Sequence, residues 1–139
     1  MAPRKKKARR RSRGFSLINA LEAYTYASIL SEGVAGTSPW GMLTGDTDIG
    51  MENYNDTGVG NPVYRTVGAK EISLGDIVSN PGLALAEMGN NLQSNLVPMA
   101  VASLVTGVGF RFGKRLLRRP IGNINRNIMK PLLGAGIKL

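Results

Sequence analysis

The distribution of charge along this 139-residue chain constrains its structure more than any other feature of the sequence. Residues 1–13 hold eight basic residues and no acid, and residues 88–139 again hold eight basic residues and no acid. Residues 14–87 between them hold all nine acids and only Arg65 and Lys70 as cations. Blocks of one sign repel themselves and tend to bind a partner of opposite charge. The sequence therefore predicts a protein whose two ends bind a polyanion.

The residue types that are missing argue against an enzyme. The chain has no Cys and no His, which removes thiol catalysis, thiolate zinc sites, disulfides and the usual near-neutral acid–base group. Neither a phosphate-binding P-loop nor a nucleophile-elbow motif occurs in the sequence. We therefore expect a binding or assembly protein that is not an enzyme and needs no cofactor and no metal.

Residues 1–14 are predicted to form a disordered basic arm, because they lack the large apolar side chains that would offset the entropy of ordering. Arginine binds phosphate through bidentate hydrogen bonds, and each neutralised phosphate releases counterions. A solubilising tail and a nuclear-import signal are the alternatives. The expected nucleic-acid-binding residues of the arm are Arg4, Lys5, Lys6, Lys7, Arg9, Arg10, Arg11 and Arg13.

Residues 15–36 are predicted to form an apolar helix with only two charges. Ser16 or Asn19 is its expected cap, and Gly33 and Gly36 are expected to end it. Apolar residues lie on most of its faces, so it requires burial nearly all round, in a packed assembly or at a membrane. The central core helix of a soluble domain is the alternative.

Residues 37–70 are rich in Gly, Pro, Asn and Asp, which predicts an irregular segment with one short strand at 63–67. Part of it resembles a calcium loop, but the turn glycine comes one place early and no Glu stands at the twelfth position. We therefore expect an acidic surface loop, or a partner for a neighbour's basic block, rather than a metal site. Its acidic and amide residues are Asp46, Asp48, Glu52, Asn53, Asn55 and Asp56.

Residues 71–119 are predicted to be helical. Ser73 and Asp76 have capping-box spacing, which favours a helix over 73–79 that is followed by helices over 81–95 and 97–119. Residues 96–110 within this region carry no charge. As a helix they measure about 22 Å, short of the ~30 Å hydrocarbon core of a bilayer. A buried core helix and a membrane segment therefore both remain open.

A second basic block follows this apolar segment. Five cations recur at the i, i+3, i+4, i+7, i+8 spacing of one helical face, and Pro120 is expected to break the helix after them. In the tail, 120–139, a short helix over 121–130 is expected to stop at Pro131 and the apolar end to dock. A solvated charged face is the alternative. The expected nucleic-acid-binding residues here are Arg111, Lys114, Arg115, Arg118, Arg119 and Arg126.

The overall plan resembles a group of known proteins. The chain combines a PRKKKARRRSR start, a LINALEAY stretch, a glycine-rich middle and an NRNI tail. In this it is similar to small basic proteins encoded in the genomes of environmental DNA viruses. The resemblance covers both ends of the chain and implies a virion component.

Together these features predict a mainly α assembly subunit of few helices, with a disordered basic arm and an irregular Gly-rich middle. Its expected function is that of a structural virion protein, a small capsid or membrane-associated subunit on the internal face of the capsid or the virion membrane. The expected partners are packaged nucleic acid, bound through its phosphate backbone, copies of itself, other capsid proteins and a lipid membrane. The alternatives are a free, sequence-independent nucleic-acid-binding protein and a small membrane protein with polybasic flanks.

Overall fold

The computed structural model describes residues 14–53 and 63–139. The predicted basic arm, as well as Asn55 and Asp56, therefore lies outside the described residues. The chain is mainly helical with little strand, which confirms the predicted fold class. The elements in chain order are β1 (Phe15–Ser16), α1 (Leu17–Ala35), α2 (Pro39–Thr44), β2 (Gly50–Asn53), β3 (Tyr64–Val67), α3 (Leu74–Ser79), α4 (Pro81–Leu116), α5 (Arg118–Ile124), a π-helical turn (Asn125–Met129), α6 (Lys130–Leu133), a 3-10 turn (Gly134–Gly136) and β4 (Ile137–Lys138).

These elements form two compact units. The central unit comprises Glu22–Phe110. The terminal unit joins the two ends of the chain, and its described residues are 14–21 and 111–139.

Helix α1 begins and ends close to the predicted positions. The Ser16 hydroxyl accepts a hydrogen bond from the backbone N–H of Asn19 at 3.4 Å, as a cap does. Gly36 ends the helix with φ +74°, a conformation that suits glycine. The expectation that Gly33 would also end the helix is wrong, because Gly33 lies inside α1 and the side chain of Met99 packs against it.

In the central unit, α1 runs antiparallel to α4. The side chains of Asn91 and Asn95 donate hydrogen bonds to the carbonyl oxygens of Val34 and Gly33 at 3.2 and 3.1 Å. They thereby satisfy carbonyl groups that the end of a helix leaves without partners. Near the other end of the contact, the Tyr26 hydroxyl packs against Gly107.

The described parts of the middle of the chain, 37–53 and 63–70, hold more regular structure than the sequence predicted. The predicted strand at 63–67 is present as β3, but it pairs antiparallel with β2, from Gly50↔Val67 to Asn53↔Tyr64. Helix α2 is a further element, which the Ser38 side chain caps by accepting from Gly41 N–H at 3.0 Å. The small core of the unit consists of Ala35, Ile49, Ile72 and Ala84.

The predicted helices over 81–95 and 97–119 form one continuous helix, α4, which includes Pro98. This helix ends at Leu116 rather than at residue 119. The ring of Pro120 and its missing N–H act on the carbonyl group four residues earlier, so the helix is interrupted at Leu117 and Pro120 lies in the first turn of α5. The expected stop at Pro131 is also wrong. Proline is well tolerated in a first helical turn, and α6 continues to Leu133.

Candidate nucleic-acid interface

The terminal unit is built on a pairing between the two ends of the described chain. Strand β1 pairs parallel with β4, with Phe15 opposite Ile137 and Ser16 opposite Lys138. The side chain of Asn125 secures the last residue, because its Oδ1 accepts from the Leu139 N–H at 2.7 Å and its Nδ2 donates to the Leu139 carbonyl oxygen at 3.3 Å. The apolar tail therefore docks within its own chain.

The described part of the terminal unit is strongly cationic. The described residues of the terminal unit include eight cations and no acid, whereas all nine acids of the chain fall within the sequence range of the central unit. The three charge blocks of the sequence thus become two structural units of opposite sign. The cations are Arg111, Lys114, Arg115, Arg118, Arg119, Arg126, Lys130 and Lys138.

Most of these cations are accessible to a large anion. Lys114 is half-buried and the other seven are exposed. An exposed guanidinium can present its fork of N–H donors to a phosphate group without first losing a buried partner. Exposed cations of this kind are what contact with a phosphate backbone requires, and such contact depends on charge and not on base sequence.

The predicted single basic stripe is divided between two helices. Arg111, Lys114 and Arg115 lie in the last turns of α4, where cations stabilise the helix dipole. Arg118 and Arg119 begin α5, where cations oppose the dipole. The expectation that all five lie in one helix is therefore wrong, because the helix is interrupted between the two groups.

The remaining predicted contacts extend this cationic unit. Arg126 is exposed in the π-helical turn of the same unit. The predicted arm, from Arg4 to Arg13, lies outside the described residues, but in the sequence it runs directly into Gly14 and β1. Its point of attachment therefore belongs to the terminal unit.

Sequence reasoning did not single out Lys130 and Lys138 as binding residues. Both are exposed and belong to the same unit as the predicted contacts. Their place in the basic block 88–139 could have identified both residues. The pairing that brings Lys138 beside Ser16 was not visible, because it joins segments from opposite ends of the sequence.

The described part of the acidic segment is held by the side chain of Asp76. Among the described residues there is no group of three His, Cys, Asp or Glu that could hold a metal ion. Instead, Oδ1 of Asp76 accepts hydrogen bonds from the backbone N–H groups of Asp48 and Ile49 at 2.8 and 2.9 Å. The hydroxyl of Ser73 lies 2.8 Å from the carbonyl oxygen of Asp46. This network ties residues 46–49 to the start of α3.

Asp76 is fully buried and also completes the predicted capping box of α3. Its Oδ2 accepts from the Ser73 N–H and lies 2.8 Å from the Ser73 hydroxyl. Burial alone would raise the pKa of Asp76, but the hydrogen bonds from Ile49, Ser73 and Asp48 outweigh burial and hold the pKa below its ordinary value. Asp76 is therefore a charged structural residue.

Helix α4 also bears on function through its surface. In the part of the chain that the structure describes, it is the one helix long and apolar enough to cross a membrane, judged by length and composition. None of the residues in its most apolar window is buried. The expected alternative of a buried core helix does not fit this segment.

Comparison of the chain with protein-family models, with curated proteins and with solved structures found no match.

Proposed function

We propose that this chain is a structural virion protein, a small capsid or membrane-associated subunit that binds packaged nucleic acid through its basic residues without reading sequence. One observation carries the proposal. The β1–β4 pairing joins the attachment point of the basic arm and the C-terminal cations in one unit whose described residues include no acid.

The chemistry of this unit suits packaged nucleic acid better than a specific operator. Binding through phosphate alone depends on the number of cations and not on the order of the bases. The sequence has no zinc-finger, RNA-recognition or basic-zipper motif that could read base edges. On duplex DNA, log affinity falls as log salt concentration rises, and each phosphate that an arginine neutralises makes this slope steeper by about 0.9.

The proposed location is the inside of the virion, against the genome, on the inner face of a capsid or of a virion membrane. Copies of the chain, other capsid proteins and a lipid membrane are the proposed partners for its exposed apolar surface. The central unit, with nine acids and two cations in its sequence range, is complementary in charge to the terminal unit of a neighbouring copy.

The test measures binding of the full chain to a random-sequence DNA duplex by fluorescence anisotropy over a range of salt concentrations. Deletion of residues 2–13 is expected to weaken binding and flatten the salt dependence. The double variant Arg115→Glu with Arg118→Glu is expected to do the same while helical content stays constant. The matched control is Arg65→Glu with Lys70→Glu, which changes the net charge equally at the two exposed cations of the central unit.

The control separates a local interface from a general charge effect. We expect the control to retain the salt slope of the unchanged chain. If the control loses as much DNA affinity as the terminal variants, the cations of the terminal unit form a solvated surface and not an interface. An unchanged slope after deletion of residues 2–13 would remove the arm from the interface.

Sedimentation distinguishes the proposed subunit from its two alternatives. A large discrete particle, whose assembly or DNA content depends on salt, supports a virion subunit. A soluble monomer that binds DNA with the same salt dependence indicates a free nucleic-acid-binding protein. Insolubility that only detergent relieves indicates a small membrane protein, for which the length and composition of α4 are the favouring observation.

A further inference from the structure

The face of α4 that points away from α1 carries an exposed apolar stripe. Val97, Val101, Leu104 and Val108 are 69, 54, 70 and 64% exposed. Residues that contact α1, such as Asn95 and the half-buried Met99, lie on the opposite side of the helix. We call these four exposed residues the outer stripe.

The spacing of the outer stripe is that of a helix–helix seam. Successive members are separated by four, three and four residues, which is the alternation of the a and d positions of a coiled coil. Three of the four are β-branched, so their side chains are stiff and lose little entropy when packed. An exposed apolar surface of this kind in a small protein marks a contact site.

We propose that the outer stripe packs against the outer stripe of a second copy, with the two α4 helices antiparallel. This inference rests on the proposed role as an assembly subunit and names the contact between its copies. An antiparallel pair centred on the stripe places Val97 opposite Val108 and Val101 opposite Leu104. Such a contact is self-complementary and closes with two-fold symmetry.

Charge selects the antiparallel orientation. The 3–4 spacing continues along the sequence to Ser94 and Asn90 on one side and to Arg111 and Arg115 on the other. A parallel pair would place each arginine against its own copy, which is repulsive. In the antiparallel pair, Arg111 meets Ser94 and Arg115 meets Asn90. The basic end of each α4 also points toward the end of its partner that carries Glu87.

Dimensions favour a second copy over lipid as the occupant. The uncharged stretch of α4, 88–110, is about 34 Å long as a helix, but five of its first eight residues are polar, and its apolar part, 96–110, measures only about 22 Å against ~30 Å of hydrocarbon. Exposed Asn90 and Ser94 precede it on the same helix, and α1 exposes Glu32 in the groove that Asn95 and Pro98 also line. A protein partner can pair with these polar groups at the ends of the stripe, whereas hydrocarbon cannot.

The absence of native Cys permits a direct test by disulfide mapping. Val97→Cys and Val108→Cys chains that carry tags of different mass are mixed and oxidised. The antiparallel seam predicts that the mixed 97–108 disulfide exceeds both like–like disulfides at least tenfold. The matched control is Leu85→Cys, which is 60% exposed on the same helix but lies off the stripe, and it should cross-link slowly. Dominant like–like products would overturn the proposed orientation.

A second measurement keeps the test independent of the cross-link. Leu104→Glu changes an exposed residue, so the helical content should stay constant while sedimentation shows loss of the dimer. Leu85→Glu should keep the dimer. The proposal would be overturned if the unchanged chain sedimented as a monomer at tens of micromolar. It would also be overturned if the chain floated quantitatively with anionic vesicles and the mixed disulfide no longer formed.

DNA binding separates this inference from the proposed function. Anisotropy with random-sequence duplex is measured on Leu104→Glu in the same salt series. If the unchanged chain binds DNA in a salt-dependent way but forms no dimer, the seam is disproved and the nucleic-acid role is retained. A dimer with the mixed disulfide but without salt-dependent binding would support the seam and remove the nucleic-acid role.

Discussion

The buried carboxylate of Asp76 accepts a hydrogen bond from the backbone N–H of Ile49 at 2.9 Å, although the two residues lie 27 positions apart in the sequence. Ile49 is itself one of the buried core residues. The contact therefore fixes the start of β2 against the start of α3, and it joins a polar cap to the apolar core of the central unit.

We expect Asp76→Asn to lower the free energy of unfolding of the central unit by about 3 kcal/mol, because hydrogen bonds to a charged group contribute ~1.5–3 kcal/mol and the new amide would place a donor against N–H donors. Urea unfolding followed by circular dichroism measures this loss. The control is Glu71→Gln, an exposed acid of the same unit. A loss equal to that of the control would show that the network contributes nothing to stability.

The pKa of Asp76 predicts how stability depends on pH. Because hydrogen bonds hold the folded-state pKa of Asp76 below its ordinary value of 3.8, the contribution of Asp76 to stability is fully present above that value. It is lost as the pH falls through the lower pKa of the folded state. Urea unfolding at pH 7 and in strong acid should therefore show a gap between the unchanged chain and Asp76→Asn that narrows in acid. A gap that widens in acid would contradict this assignment.

Gly36 and Gly82 allow the same Gly→Ala change to be compared at a position that requires glycine and at one that does not. Gly36 has φ +74°, and an added Cβ would meet the carbonyl oxygen of Lys70. Gly36→Ala should therefore cost more than about 2 kcal/mol of unfolding free energy. At Gly82 an added Cβ meets nothing within 4 Å, and Gly82→Ala in the helix should stabilise by about 0.5 kcal/mol. Thermal unfolding of both variants tests the prediction, and destabilisation of equal size would refute it.

Asn125→Ala should release the end of the terminal unit. It removes both side-chain hydrogen bonds to Leu139, and the loss of about 1.4 kcal/mol corresponds to tenfold faster hydrogen exchange at the Leu139 amide. The control is Asn123→Ala, two residues earlier and exposed. Exchange in β2 and β3 should be unchanged in both variants. Equal exchange at Leu139 in the two variants would mean that Asn125 does not hold the tail.

Local patterns in the sequence predicted local structure well. The capping box of Ser73 and Asp76 and the strand at 63–67 follow from residues within a few positions of each other, and both are present. The second role of Asp76, toward Asp48 and Ile49, could not be predicted in this way. No local rule connects a helix cap to a loop that ends 27 residues earlier.

The errors at the prolines have a physical cause. A proline acts on the hydrogen bond to the residue four positions before it, so α4 ends at Leu116 while Pro120 continues into the next helix. The sequence pattern identified Pro120 as the interrupting residue, but it did not predict that α4 ends at Leu116. For the candidate interface, the two basic blocks are read directly from the sequence. The β1–β4 pairing, which joins the end of the first block to the C-terminal segment, could not be predicted, because its two-residue strands are too short to produce a periodic signal.

The pairing of Phe15 with Ile137 also has a consequence for the order of folding. Contacts between residues so far apart in the sequence carry a large loop-closure entropy, and they form late. During synthesis the N-terminal basic block is made long before the C-terminal one, and the central unit can fold in the interval. The cationic unit is therefore complete only after β4 has been made. If the proposed function holds, a growing chain therefore binds cellular polyanions less tightly than the finished protein.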